Sequence, residues 1–521
     1  MHCFLVSKQK RLLLYTAIFV SILAVYLLRA TASGLWFDEA IEFYFSRTLN
    51  GPVPGARSNS SMYERILVTY QPPLYNWLMY VWLSICDSEF WFRLAGILTT
   101  FIGGVGLFAA LKEISSSDCA ALGSAAYLLA GGVSEYALEA GEYNLLMCML
   151  CWALYFYLRA WKKDTRGAVF GFIVFACLAV YSQYGAVFLI VPMYVSLLLH
   201  CVKQRKNIAE LILSSLLAAA AAALLLVFFL TKQMQRQGSI SVSHVPVFAY
   251  GAIDVFVSFA KTFAFTFRGF KWVQAAAALP AGTLLLLALL RKDKTLVNLL
   301  LIFACGWTAY YLLTACSFYG YNGTWNPNQL GTANIGGRYS LMFAPLLSLL
   351  LTYGVYCFCA QSRDSKGWLN AKKAAAAALC LLAAYSAIGL GSLLTSEKKD
   401  DIREATHVWY GERAWMSKTL VNRWDDAPFQ FYLTHHPDYS EDYQQTIMLA
   451  PWWETNDITS REKALDSMEL LAADDFYYIS RVSDTYEVHI NAFAQLLSSH
   501  GFELREMYRG ASVLIHAIRE K

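Results

Sequence analysis

The chain has 521 residues, of which 57% are hydrophobic and only 15% charged. A single soluble core is excluded, because soluble domains carry about 25% charged residues. The net charge of +4 hides an uneven distribution, with 13 Lys+Arg against 22 Asp+Glu from Thr395 onward. No basic stripe is offered to a nucleic acid, and no nucleic-acid partner is expected.

Between the charge clusters lie long uncharged runs, and roughly 20 helical residues cross a hydrocarbon core ~30 Å thick. Leu12–Leu28 follows Lys8, Lys10 and Arg11 and reads as a retained signal anchor with a cytoplasmic N-terminus. Next come Leu94–Leu111, Cys119–Ser134 and Tyr143–Leu158. The uncharged stretch Gly167–Val202 is too long for one crossing, and Ser182, Gln183 and Gly185 divide it into two helices. Leu211–Thr231, Trp272–Leu290, Leu296–Cys316, Tyr339–Ala360 and Ala374–Ser396 complete about eleven spans, with the basic connecting loops on the inner side.

Two apolar stretches are set aside from this count. Pro72–Cys86 is short and opens on two prolines, so it is expected to lie in the outer interface with Trp77, Tyr80 and Trp82 at headgroup depth. Val245–Phe267 is interrupted by Asp254 and Lys261 and is treated alike. The expected architecture is an all-α polytopic membrane protein with interfacial helices in outer loops and a small C-terminal extracytoplasmic α/β domain. The membrane module is drawn over residues 1–394, with a first outer loop at 31–92, and the tail domain over 395–521. In the tail, His407–Tyr410, Phe476–Ser480 and Ser512–Ile518 read as strands, and Ile490–Ser499, stopped by Gly501, as a helix. The twelve cysteines lie mostly inside apolar runs, none beyond Cys380, which suits small buried residues rather than a disulfide framework.

Candidate chemistry gathers on the outer side. Asp38 and Glu39 open the first outer loop, close to hydrocarbon, where carboxylates are costly unless used or paired. One of them can take a proton from an acceptor hydroxyl; the plain alternative is a solvated helix N-terminus favoured by the dipole. Gln71 precedes Pro72-Pro73, and Glu135, Glu139 and Glu142 ride on an outer turn. Arg338 ends an uncharged stretch beginning at Thr295, and its guanidinium suits a lipid phosphate, or else snorkels at the interface. Carboxylates, a cation and an interfacial segment at one face fit a transferase using a lipid-phosphate donor. The rival classes are a transporter or flippase of lipid-linked sugars, and a membrane-anchored carbohydrate-binding protein. Halves repeated in sequence, expected of many transporters, are not evident.

The order Phe37-Asp38-Glu39, Pro72-Pro73-Leu74, Ser88-Glu89-Phe90 with Arg93-Leu94, Glu139-Ala140 with Tyr143, Tyr181-Ser182 with Tyr184, and Arg338-Tyr339 resembles the GT-C glycosyltransferases. The closest groups are the protein O-mannosyltransferase and aminoarabinose transferase-like proteins. The resemblance covers roughly residues 10–360. It implies an inverting transfer of sugar from a polyprenyl-phosphate donor on the extracytoplasmic face of the plasma (inner) membrane to a glycan, lipid or protein acceptor. It points to Asp38 as base with Glu39 beside it, and to Arg338 with Tyr339 at the donor phosphate. Gln71, Glu139, Glu142, Tyr143 and Gln183 become substrate-site candidates. Three positions depart from the family pattern: Gln71 stands where His or Lys is frequent, Gly141 for an arginine and Gln183 for a histidine. Either Lys261, Arg268 and Lys271 supply the missing positive charge, or the donor head group differs. No metal centre is expected, although oxygen ligands at Asp38 or Glu139 leave room for a divalent cation.

Overall fold

The structure is a computed structural model, and it describes residues 8–47, 61–69, 71–163, 165, 167–237, 252–267, 293–315, 337–361, 385, 387–395, 401–450, 458–482 and 484–520. In chain order the helices up to residue 361 are α1 (Lys8–Arg29), α2 (Phe37–Arg47), α3 (Met62–Thr69), α4 (Leu74–Leu83), α5 (Glu89–Ile114), α6 (Ser117–Leu128), α7 (Gly131–Ala137), α8 (Glu142–Lys163), α9 (Ala168–Ser182), α10 (Val187–Gln204), α11 (Ile208–Leu225), α12 (Thr231–Gln237), α13 (Ala252–Thr266), α14 (Lys294–Ala315) and α15 (Ala344–Gln361). A π-helical turn, Leu226–Leu230, joins α11 to α12, and a 3₁₀ segment, Arg338–Phe343, leads into α15. The chain divides into two compact units. The first comprises residues 1–28, 66–78 and 93–396, the second residues 29–65, 79–92 and 397–521. The division expected from sequence, at residue 394, had left the first outer loop with the membrane module.

In the first unit, seven segments among the described residues are long and apolar enough to cross a membrane, and α9 is a shorter apolar helix. Crossings are needed because backbone groups must be satisfied within the segment when lipid offers no partner. The expected pair of helices in 167–202 is present as α9 and α10, joined through a 3₁₀ turn at Tyr184–Ala186. The Cys119–Ser134 run, expected as one crossing, is instead two short helices, α6 and α7, broken before Gly131-Gly132. Glycine is about 1 kcal/mol poorer than alanine in a helix. At Gly132 it also permits close packing, since a Cβ there would come 2.6 Å from the Phe265 carbonyl oxygen. The Tyr26 hydroxyl donates to the Leu128 carbonyl at 2.5 Å, satisfying one of the acceptors that the end of α6 leaves over. Trp272–Leu290 and most of Ala374–Ser396 lie outside the described residues, as does residue 245 to 251 of the second set-aside stretch.

Contacts sort the helix ends. Arg11 pairs with Asp118 at 3.1 Å and Tyr15 donates to the same carboxylate at 2.6 Å. Lys163 meets Glu113 at 2.7 Å. The Phe170 N–H donates to Glu210 at 2.9 Å, and the Tyr353 hydroxyl to Asp293 at 3.3 Å. The basic connections therefore share one end of the bundle. These pairs are partly exposed and worth little as stability, each on the order of 0–1 kcal/mol; their value is that they fix helix direction. The Arg338–Phe358 span is 83% buried and forms the centre of the bundle, whereas the Ile208–Gln235 span is 17% buried and presents Leu213, Leu216, Leu217 and Leu224 outward. Such apolar exposure suits a lipid-facing wall.

The second unit is built on a five-stranded sheet: β1 (Lys418–Val421), β2 (Ile447–Leu449), β3 (Asp475–Arg481), β4 (Phe502–Arg509) and β5 (Ser512–Arg519), in the order β2-β1-β3-β5-β4. β1 is parallel to β2 and to β3, while β5 runs antiparallel between β3 and β4. Helices α16 (Ile402–Gly411) and α17 (Asp426–Thr434) cover one face with Trp409, Phe429 and Leu433. Helices α18 (Ile458–Ser467) and α19 (Asp484–Ser499) cover the other with Leu465, Phe493 and Leu497. The expected strands at Phe476–Ser480 and Ser512–Ile518 lie within β3 and β5, and the expected helix within α19, which ends before Gly501 at φ +76°. His407–Tyr410 is not a strand but part of α16. The buried set Ile402, Ala405, Thr406, Trp409 and Tyr410 repeats at three and four residues, a helical stripe that four residues alone do not reveal. The first-loop helix α2 packs on α17 within this unit, through a Phe43–Phe431 ring contact at 4.9 Å and the Leu35 N–H donating to the Tyr432 hydroxyl at 2.7 Å. Arg403 adds an ion pair to Glu89 at 3.1 Å and a bond to the Thr31 carbonyl at 3.0 Å.

Candidate active site

The candidate residues fall into two groups, one in each unit. In the second unit, Asp38 and Glu39 occupy the first turn of α2. Their environments differ. Glu39 is 1% exposed and accepts the Trp36 backbone N–H at 3.3 Å. This is the return half of a capping box, in which an acidic side chain at the third helical position satisfies the donor that the helix start leaves over. Asp38, one position earlier, is half-buried and therefore accessible. Adjacency in sequence has put one carboxylate into local structure and left its neighbour at the surface.

The first unit gathers the second group at the bundle end opposite the basic connections. Gln71, just before Pro72-Pro73, donates its carboxamide to Glu142 at 3.1 Å, and Glu142 is 4% exposed. Glu142 opens α8, where the helix dipole favours a negative charge. Tyr143 follows it, buried, with its ring 5.2 Å from that of Tyr136. Glu139 is 8% exposed, and its carbonyl accepts from Asn144 at 2.8 Å. Gln183 is buried in the extended link between α9 and the 3₁₀ turn at Tyr184. Arg338 begins the 3₁₀ segment ahead of α15, where the Ser340 hydroxyl donates to the Gly337 carbonyl at 2.7 Å. That segment packs against α8, α13 and the Tyr184–Ala186 turn. The Arg338 guanidinium lies 5.5 Å from the Tyr339 ring, a cation–π distance.

One residue that joins this group was not singled out from sequence. Gln233, 2% exposed, donates to the carbonyls of Ile66 at 3.0 Å and Gln71 at 2.8 Å, and accepts the Tyr184 hydroxyl at 2.8 Å. A polar glutamine after the apolar Leu211–Thr231 run was the available signal. Its partners were not visible, because they come from segments far apart in the chain.

Of the expected cations, Lys261 is exposed on α13 and Arg268 lies outside the described residues, as does Lys271. Gly141 has open space around it, since a Cβ there would touch nothing within 4 Å. Among the described residues, no three His, Cys, Asp or Glu side chains gather to hold a metal ion. Cys148 and Cys151, three apart on α8, are both buried.

With this geometry in hand, the likenesses to known proteins can be placed. The family model for dolichyl-phosphate-mannose-protein mannosyltransferase matches residues 70–234, a stretch that begins just before Gln71 and ends just after Gln233. The chain is similar in fold to ArnT from Cupriavidus metallidurans bound to undecaprenyl phosphate, with a TM-score of 0.53 and 14% identity over 98% of both chains. It is also similar to the Archaeoglobus fulgidus oligosaccharyltransferase in complex with Zn and sulfate, with a TM-score of 0.53 and 11% identity over 91% of this chain and 69% of that one. No curated protein matches the chain. The fold is that of the GT-C glycosyltransferases, and the chain is a multi-pass membrane protein of that architecture.

Proposed function

We propose that this protein is an inverting membrane glycosyltransferase that moves a sugar from a polyprenyl-phosphate donor to an acceptor hydroxyl on the outer face of the plasma membrane. The observation that carries the proposal is the fold likeness to ArnT along 98% of both chains, ArnT being bound there to undecaprenyl phosphate. The mannosyltransferase family match over the segment that holds Gln71, Glu142 and Gln233 supports it independently.

Asp38 is the general base. Its carboxylate removes the proton of the acceptor hydroxyl as that oxygen attacks the anomeric carbon from the face opposite the phosphate. The bond from the anomeric carbon to the phosphate oxygen breaks, and the electron pair leaves with the polyprenyl phosphate. Arg338 stabilises the charge that develops on this leaving group, as an always-protonated planar cation suited to phosphate oxygens. Glu39 holds the helix start that carries Asp38. The Gln71–Glu142 pair supplies hydrogen bonds to hydroxyls of the donor sugar. Because Gln71 is neutral, the donor phosphate is countered by fewer cations than in relatives with His or Lys there. Asp38 and Arg338 face one aqueous compartment, across the bilayer from the basic connections, with the N-terminus cytoplasmic and the tail domain extracytoplasmic.

The test is reconstitution of the purified full chain in liposomes, with radiolabelled polyprenyl-phosphate sugars as donors and envelope extract as acceptor. Transfer that is lost in Asp38→Asn at normal folding supports the proposal. A fully active Asp38→Asn variant, or labelling of cysteines placed at 38 and 338 from opposite sides of the membrane, refutes it.

A further inference from the structure

The tail is a doubly wound α/β layer, and such sheets have a preferred place for ligands. α17, which follows β1, lies on one face; α18, which precedes β3, lies on the other. β1 sits between β2 and β3 and runs parallel to both. The connections therefore diverge to opposite faces beside β1, and the loops at the carboxyl ends of β1 and β3 border a crevice. Ligands of open α/β sheets bind at such a switch point.

The residues at that point are Asn422, Arg423, Trp424 and Asp425, immediately after β1. The turn is firmly held. The Asn422 N–H donates to the Ile479 carbonyl at 2.9 Å, and its carboxamide donates to the Ser480 hydroxyl at 2.9 Å. Asp425 is fully buried and accepts the Arg481 N–H at 2.8 Å. The Trp424 N–H donates to the Asn422 side chain at 3.2 Å. Trp424 itself remains half-buried, so the turn fixes a large aromatic ring at the surface. What this ring meets is the start of α2: its centroid lies 4.8 Å from that of Phe37 at 76°, an edge-to-face pair. Phe37 is the residue before Asp38. An edge-to-face contact engages at most one face of the indole.

We propose that Trp424, carried by the tail domain, provides an aromatic face for a sugar ring beside Asp38. An indole binds the apolar C–H face of a pyranose or furanose at low conformational cost, while hydroxyls at the ring edge are left to polar neighbours. The tail thereby contributes directly to the binding of substrate. The inference rests on the transferase reading, since that reading makes Asp38 the acceptor-side base, but its test does not require turnover.

The experiment uses the full chain with Asp38→Asn in nanodiscs, with methyl glycosides of mannose, glucose, galactose and arabinose as probes and saturation-transfer NMR as the readout. A short-chain polyprenyl-phosphate mannose, read by intrinsic fluorescence titration, forms a second arm. At least one glycoside is expected to give a signal that falls fivefold or more on Trp424→Ala and keeps more than half its strength in Trp424→Phe. A loss confined to the lipid-linked sugar also supports the aromatic face and assigns it to the donor ring. Trp424→Leu, which keeps bulk without the π face, guards against misfolding, with thermal unfolding measured alongside. Equal binding by the wild-type and Leu variants, or no binding of any probe by the chain with Trp424 intact, overturns the proposal. Transfer retained by Asp38→Asn overturns the transferase mechanism instead, and leaves the sugar-binding result to stand or fall by itself.

Discussion

Gln71 and Glu142 meet at 3.1 Å, a hydrogen bond that joins the segment ahead of Pro72-Pro73 to the first turn of α8. Gln233 holds the backbone of Gln71 from behind through its carbonyl at 2.8 Å. The pair and its support together link the interfacial segment to the helix bundle through fully satisfied polar groups, and such buried networks are costly to break in part.

Gln233→Leu removes two donated bonds and leaves the Tyr184 hydroxyl without that acceptor. Each unsatisfied buried group costs about 1–3 kcal/mol. The expected result is a lower thermal midpoint in detergent together with a loss of transfer. Gln233→Glu, which still accepts from Tyr184 but cannot donate, is expected to fall close to the Leu variant. A Leu variant as stable and as active as wild type contradicts the role given to Gln233.

Asp38 and Glu39 are expected to separate under mutation. Asp38→Asn lowers transfer by about 10²–10⁴-fold, the usual contribution of a general base, with little change in thermal midpoint. Glu39→Ala does the reverse in emphasis: loss of the acceptor for the Trp36 N–H costs about 1 kcal/mol of helix stability, and Glu39→Gln, which keeps an acceptor oxygen, restores most of it. Paired measurements of initial rate and unfolding temperature decide the point. Equal effects of Asp38→Asn and Glu39→Gln on rate count against the division.

Gly132→Val tests the break in the third apolar run. A Cβ at this position meets a backbone carbonyl, which cannot swing aside as a flexible side chain can. Overpacking of this kind costs about 1–3 kcal/mol, so the variant is expected to unfold earlier than wild type, with Gly132→Ala intermediate. A Val variant that melts with wild type argues against the close approach of α7 and α13.

The tail carries a pH dependence of known sign. Burial lowers the pKa of His436 below its ordinary value, opposed by Asp438 and assisted by His407, while its ring stacks on Tyr410 at 3.6 Å. The unfolded chain therefore binds a proton more readily than the folded one. The stabilisation is present above the unfolded pKa of about 6.5 and declines as the pH falls through that value. The unfolding midpoint should drop between pH 7.5 and pH 5, and the drop should be smaller in His436→Gln. An identical pH slope in both proteins removes His436 as its source.

Much of the outline was legible in the sequence. Apolar run length identified α1, α5, α8, α10, α11, α14 and the segment from Arg338, because helices in lipid must satisfy their own backbone and cannot be short. The same rule set Pro72–Cys86 apart, where the helix proves to be the ten-residue α4. The site was legible only as a list. Residue type marked Asp38, Glu142 and Arg338 as costly charges near hydrocarbon, but it did not distinguish Asp38 from Glu39, since the capping bond of Glu39 depends on where the helix begins.

The sequence by itself determined that this protein crosses a membrane many times, that its basic loops share one side, and that an acidic α/β tail follows. Those properties are sums over composition and period, and they survive ignorance of any contact. Tertiary structure alone decided that Gln233 reaches back to Gln71, that the first outer loop joins the tail as one compact unit, and that Trp424 meets Phe37. Each depends on hydrogen bonds or ring contacts between residues tens to hundreds of positions apart, and no local pattern records which distant partner a side chain will find.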